Sequence, residues 1–277
     1  MEGSTAQINA KDVMTLRART GLGMMDCKKA LGESGGNLEA AEEALRKKLK
    51  GKMEARTDRA AGEGAIAIEI SEDGRAASIV EFATETDFTA KNENFIEATK
   101  KLAKLVLSEN AGDVAVSDAM KTLIDDVRIT TGENAQYARG HKLEGGGDTM
   151  FGSYIHHDGK TGVLVQATGS ITSDVLRNIG MHVTAADPRP LGVSPDSIPA
   201  DVVEKERKFA LEVAMESGKP QEIAEMMVEG KMRKFYEGVA LLEQPYVIDP
   251  DKKVKDLLPA DASIVAFLRW SVGETSA

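Results

Sequence analysis

The sequence predicts an α+β fold assembled from several modules, on three observations. Helix signals fill the first fifty residues, a weak internal repeat at an offset of 85 residues fills the middle, and a second helical block interrupts the last third. The chain has 277 residues, of which 42% are apolar, so it can bury real cores, and its length fits about two domains. Its net charge of −10 argues against a protein that grips nucleic acid mainly through phosphates. That charge is uneven. Residues 1–59 hold 12 basic and 9 acidic side chains, and the rest holds 23 and 36, so a small basic module precedes an acidic body. All eight prolines fall between Pro188 and Pro259, which places a change of architecture near Pro188. The single cysteine, Cys27, permits no intrachain disulfide or multi-cysteine zinc site and fits a reducing compartment. With no signal-peptide pattern and no run of 18 apolar residues, the expected location is the cytoplasm.

The first module reads as three short helices. Asn9 caps the first, with Asp12 as a returning carboxylate and Val13, Leu16 and Arg17 at helical spacing. The glycines of TGLG (20–23) break it, and a second helix runs over 25–33 to Gly35-Gly36. Asn37 caps a third, whose apolar stripe is Leu38, Ala41, Ala44, Leu45 and Leu49. The polar stretch 50–63 reads as a tether, which places the module boundary at 59.

The repeat aligns residues 66–84 with 151–168, setting Asp73-Gly74 on Asp158-Gly159. Asp-Gly between alternating apolar runs is a strong hairpin signal, with both turn residues expected at positive φ. A helix follows each hairpin, over 92–107 and 174–184, so the unit is β-β-α and the core is duplicated. Between the units, 114–127 reads as a helix and 135–145 as a strand. Residues 197–236 then read as a projecting antiparallel coiled coil. Val202/Val203, Phe209/Ala210 and Val213/Ala214 form one stripe, Ile223, Met226, Met227 and Gly230 the other, and Gly218-Lys219-Pro220 the turn. A late strand over 263–272 returns to the core. The expected division is therefore 1–59, 60–140, 141–195 completed by 237–277, and 196–236.

Few residues signal covalent chemistry. GLGMMD (21–26) has Asp where a dinucleotide fingerprint needs its third Gly and follows a helix, and no phosphate-cradling P-loop occurs. His156, His157 and Asp158 sit at a hairpin tip, where alternating side chains and turn polarity explain them better than a metal. His141 and His182 have no nucleophile at informative spacing. The basic run Arg46, Lys47, Lys48, Lys50 and Lys52 fits the cationic end of a helix better than an RNA site. Two features keep a second reading open: Met24-Met25 are core plugs or an adaptable contact surface, and Phe88 in ETDF (85–88) is tucked inward or an exposed anchor.

TGLGMMDCKKAL (20–31), TDF (86–88), MHV (181–183) and SGKPQEIAEMMVEGKMRKF (217–235) stand in an order that resembles the bacterial elongation factor Ts family, over about residues 7–272. The resemblance implies a ubiquitin-associated-like N-terminal bundle, a two-subdomain core and a protruding coiled coil. It also implies guanine-nucleotide exchange on elongation factor Tu, with no enzymatic step, no cofactor and no direct nucleotide, nucleic-acid or membrane binding. By resemblance, Asp87 and Phe88, flanked by Thr86 and Thr89, disturb the partner's magnesium site. Arg17, Met24, Met25, Lys28 and His156 would contact the same partner. The chain stops soon after Trp270, before a further C-terminal helix that some members carry. The alternative is a plain protein-binding scaffold bearing a ubiquitin-associated-like module.

Overall fold

A computed structural model describes residues 8–54, 57–216, 218 and 220–274, without the side chains of 49–54. Leu49, Lys50, Lys52 and Lys219, named above, thus lie outside the described side chains. The fold is α+β. Its first three helices are α1 (Ala10–Thr20), α2 (Met24–Glu33) and α3 (Leu38–Glu54). Asn9 caps α1 by accepting from Lys11 N at 2.9 Å, and Asn37 caps α3 by accepting from Glu39 N and Ala40 N, both at 3.0 Å. Gly21 ends α1 at φ 68°, a conformation open to glycine without a Cβ penalty. Val13, Leu16, Cys27, Leu31, Ala41 and Leu45 close the small core, whereas Ala44 faces solvent. The tether is shorter than expected, because α3 carries on to Glu54. Thr57 and Arg59 beyond it are tied down: Asn134 Nδ2 donates to Thr57 O at 3.0 Å and to Arg59 O at 2.7 Å.

The core stacks two β-β-α units. In the first, β1 (Glu63–Ile70) and β2 (Ala76–Thr84) form an antiparallel hairpin, followed by α4 (Asp87–Ala90) and α5 (Glu93–Leu107). After a short edge strand β3 (Gly112–Asp113), α6 (Asp118–Thr131) leads into β4 (Ala135–Glu144), giving the sheet order β1-β2-β4-β3. α6 starts four residues later than its apolar spacing predicts, because Ser117 accepts from Met120 N and fixes the cap there. In the second unit, β5 (Thr149–Ile155) and β6 (Thr161–Thr168) pair, α7 (Ser173–Ala185) follows, and a late strand β9 (Ser263–Ser271) completes the order β5-β6-β9.

Alternation of side chains builds four layers from these parts. Ala65, Ala67, Val80 and Phe82 point to α5 and α6, where Phe82 stacks on Phe95 with ring centroids 4.6 Å apart. Ile66, Ala77 and Ile79 point the other way and meet Phe151, Leu164 and Trp270 of the second sheet. Val163, Val165 and Ala167 then cover α7 through Leu176, Ile179 and Val183. Gly162 allows the two sheets to close, since a Cβ there would lie 2.5 Å from Ile66 Cγ2.

The repeat extends into details that the alignment did not carry. Both hairpin loops have five residues with matching bonds: Ser71 N donates to Ala76 O, and His156 N to Thr161 O. Only Gly74 and Gly159 have positive φ, at 69° and 72°, while the preceding aspartates accept from Arg75 N and Lys160 N. A five-residue loop spreads the reversal over more bonds, so it spares Asp the left-handed conformation that a two-residue turn demands. Both third strands bulge at corresponding places, opposite Glu81/Phe82 and Gln166/Ala167. The two buried polar residues there reach across to the other unit: Glu81 accepts from Gly273 N at 2.8 Å, and Gln166 donates to Glu144 O at 3.0 Å.

The second helical block is a hairpin of α8 (Ala200–Glu216) and α9 (Gln221–Val239), with Gly218 at φ 67° in the turn and Pro220 opening α9. Its seam keeps part of the expected stripes, through Val203, Ala210, Ala214 and Met227, and departs from the rest. Ala210 and Ala214 face Ala224, Val228 and Met232, while Phe209 and Met226 are 57% and 67% exposed and Gly230 meets open space. Small residues let the two backbones approach, which pushes the bulkier ones outward. A two-stranded pair, β7 (Pro245–Tyr246) with β8 (Asp249–Lys253), connects the hairpin to β9 and is an element the apolar pattern did not reveal.

Candidate functional site

Phe88 sits on α4, a single helical turn that the sequence reads only as a loop. The turn exists because Thr86 caps it: its hydroxyl accepts from Thr89 N at 3.3 Å. Thr89 and Ala90 pack inward, and Phe88 projects outward at 83% exposure. Exposing a Phe forgoes about 1.5–3 kcal/mol of burial, so this ring is held where folding alone would not leave it. The tucked reading of Phe88 is thereby corrected. Asp87, half-buried, pairs with Lys91 Nζ at 2.8 Å, and that hydrogen bond holds its carboxyl below the usual range.

Glu133 braces the turn from behind, and nothing in the sequence pattern singled it out. Standing between α6 and β4, it accepts from Thr84 Oγ1 at 3.0 Å, Thr86 N at 3.1 Å and Thr86 Oγ1 at 2.7 Å. Burial works against its charge, but bonds from Thr86, Thr89 and Thr84 outweigh it and hold the Glu133 pKa below the ordinary glutamate value. The neighbouring Asn134 N donates to Glu85 Oε1 at 2.7 Å, so each loop offers a carboxylate to the other's backbone.

The tip of the second hairpin lies beside this turn. Gly159 O accepts from Ile66 N at 2.9 Å, and an apolar groove between the tip, β1 and the start of α5 is lined by Ile66, Ile68, Ile96 and Ile155. His156 is half-buried, with Nδ1 3.4 Å from Tyr154 Oη. Its ring lies 4.2 Å from that of His157, so these neighbours lean on each other instead of alternating across a strand. Among the described residues no group of three or more His, Cys, Asp or Glu side chains is placed to hold a metal ion.

On the bundle, Met24 and Met25 open α2 at 50% and 74% exposure, which replaces the core-plug reading with a surface one. Arg17 and Lys28 are exposed on α1 and α2. The bundle rests on α6 at the end that leads to Glu133. Arg46 Nη1 lies 3.2 Å from Asp126 Oδ1, and a Cβ at Gly21 would meet Thr130 Cγ2 at 2.7 Å. Arg46 and Lys47 also pair with Glu42 and Glu43, so two of the basic run's three described members are already matched by carboxylates. His182 is buried, 2.9 Å from Gln244 Oε1, and burial pushes its pKa down; His141 pairs with Asp113 at 2.6 Å.

Fold and site together define a class: a duplicated α+β scaffold that presents a braced apolar turn to the exterior. Comparison with known proteins agrees and narrows it. A family model described as elongation factor TS matches residues 85–274. Proteins named elongation factor Ts are similar along nearly the whole chain. That of Photorhabdus laumondii is 39% identical over 99% of this chain and 94% of its own length. Those of Alkalilimnicola ehrlichii and Yersinia pestis are each 41% identical over 96% of this chain and 92% of theirs. The chain belongs to the elongation factor Ts family, and its role is that of a translation elongation factor. No helix among the described residues is long and apolar enough to cross a membrane.

Proposed function

We propose that the protein binds elongation factor Tu carrying GDP and promotes release of the GDP, so that GTP can rebind, acting in the cytoplasm without covalent chemistry or a cofactor. The observation that carries this reading is Phe88, held outward on a braced turn. An exchange factor works by differential affinity: it binds the emptied partner better than the loaded one, and linkage makes the weakening of nucleotide binding reciprocal. Phe88 enters an apolar pocket of the partner near its magnesium site, and Asp87 accompanies it. Thr86 and Thr89 keep the turn in shape from the inner side. Met24, Met25, Arg17 and Lys28 on the bundle and His156 on the core supply separate contacts. Swinging a two-state balance from 1:99 to 99:1 needs about 5.5 kcal/mol, whereas burying one Phe yields about 1.5–3 kcal/mol. Several patches must therefore act together, which fits a division into modules 1–59, 60–140, 141–195 with 237–277, and 196–236.

Stopped-flow release of a fluorescent GDP from elongation factor Tu tests this. Phe88→Ala is expected to slow release at saturating factor by about ten- to a hundredfold while thermal stability stays within about 0.5 kcal/mol. The Met24→Ala, Met25→Ala pair should raise the half-saturating concentration and leave the maximal rate intact. An unchanged maximal rate for Phe88→Ala would defeat the proposal.

A further inference from the structure

We infer that Glu133 is a positioning residue for the exchange reaction, the centre of a clasp that orients the Phe88 turn and ties it to the segment leaving the N-terminal bundle. The inference rests on the exchange reading given above.

Three stretches of chain far apart in sequence meet here. Glu133 takes the Thr86 N–H and the hydroxyls of Thr84 and Thr86, and Glu85 takes the Asn134 N–H. Asn134, itself buried, donates through Nδ2 to the carbonyls of Thr57 and Arg59. Gln136 Nε2 donates to Thr57 O at 3.1 Å, and Arg59 Nη1 lies 3.2 Å from Glu85 Oε2, so the exit of the bundle is fastened to both loops. Charge-assisted bonds of this kind are about twice as strong as neutral ones, and a network of them fixes one geometry.

A four-residue helix is too short to hold itself, because helix nucleation is unfavourable without outside support. The Phe88 ring gains no packing that would orient α4, since it faces solvent. Its attitude must come from the inner side of the turn, and the Glu133 carboxylate is the group that bonds it there. A merely stabilising role would require only that the loops stay closed. The exchanged backbone bonds go further, because they fix the direction in which the turn leaves β2.

Two measurements on full-length protein test this. By hydrogen exchange of the free protein, Glu133→Ala should speed exchange at amides 86–89 about tenfold and leave the β2 amides unchanged. In GDP release from elongation factor Tu, the same variant should lower the maximal rate about tenfold, with the half-saturating concentration within about twofold of wild type. Glu133→Gln should restore part of both, since its carbonyl can take the Thr86 N–H. Wild-type exchange at 86–89, or a loss confined to the half-saturating concentration, would overturn the inference. If Phe88→Ala releases GDP normally, the exchange reading itself fails, and hydrogen exchange alone then decides whether the clasp exists.

Discussion

The two β-β-α repeats share loops of equal length, bulges at matching places and reciprocal side chains that reach into each other's sheet, yet only one bears the exposed aromatic turn. Eight residues connect β2 to α5, and four connect β6 to α7. The difference equals the four residues of α4. Both junctions are fastened by a carboxylate: Asn134 N donates to Glu85 in the first repeat, and Ser170 N donates to Asp261 in the second. The scaffold therefore closes without α4, and the extra turn is free to serve something other than folding.

The sharpest way to break this comparison is to delete Asp87–Ala90, which gives the first repeat the connection length of the second. The variant should fold, judged by circular dichroism, and lose stimulation of GDP release by about a hundredfold, the upper range for one desolvated Phe anchor. Failure to fold would mean that α4 belongs to the scaffold. A smaller effect, on stability and not on exchange, is expected at the face the repeats share. Gly162→Ala should cost about 1–3 kcal/mol in chemical denaturation, because its Cβ would push on Ile66, and the maximal release rate per folded molecule should persist. The smallest effect is expected for Asp261→Ala. It removes the second repeat's fastening and should lower the melting temperature slightly while release stays at wild type, in contrast to Glu133→Ala.

Much of this architecture is legible from sequence because local chemistry encodes it. The caps at Asn9 and Asn37, the glycines Gly74 and Gly159, and the alternation along β1, β2 and β6 all act over a few residues. The seam of the helical hairpin is less visible. Bulky Phe209 and Met226 dominate an apolar pattern, whereas alanines at 210, 214 and 224 make the contact by being small. The brace behind Phe88 is invisible to any short window, since Thr86 and Glu133 are 47 residues apart. Phe88 and the Met24-Met25 pair stand out as residues, but their direction depends on which neighbours fill the core first.

The position of β9 bears on how the molecule comes into being on the ribosome. Thr161 and Ser271, bonded through their hydroxyls at 2.7 Å, are 110 residues apart, with the whole of α8 and α9 between them. A growing chain can complete the first sheet once β4 has emerged, but the second waits, its β6 flank unpaired, while the helical arm is translated. Such distant closure is slow and leaves an open strand edge in the interval. A factor that serves protein synthesis thus depends, for its own last strand, on the pace of the machine it supplies.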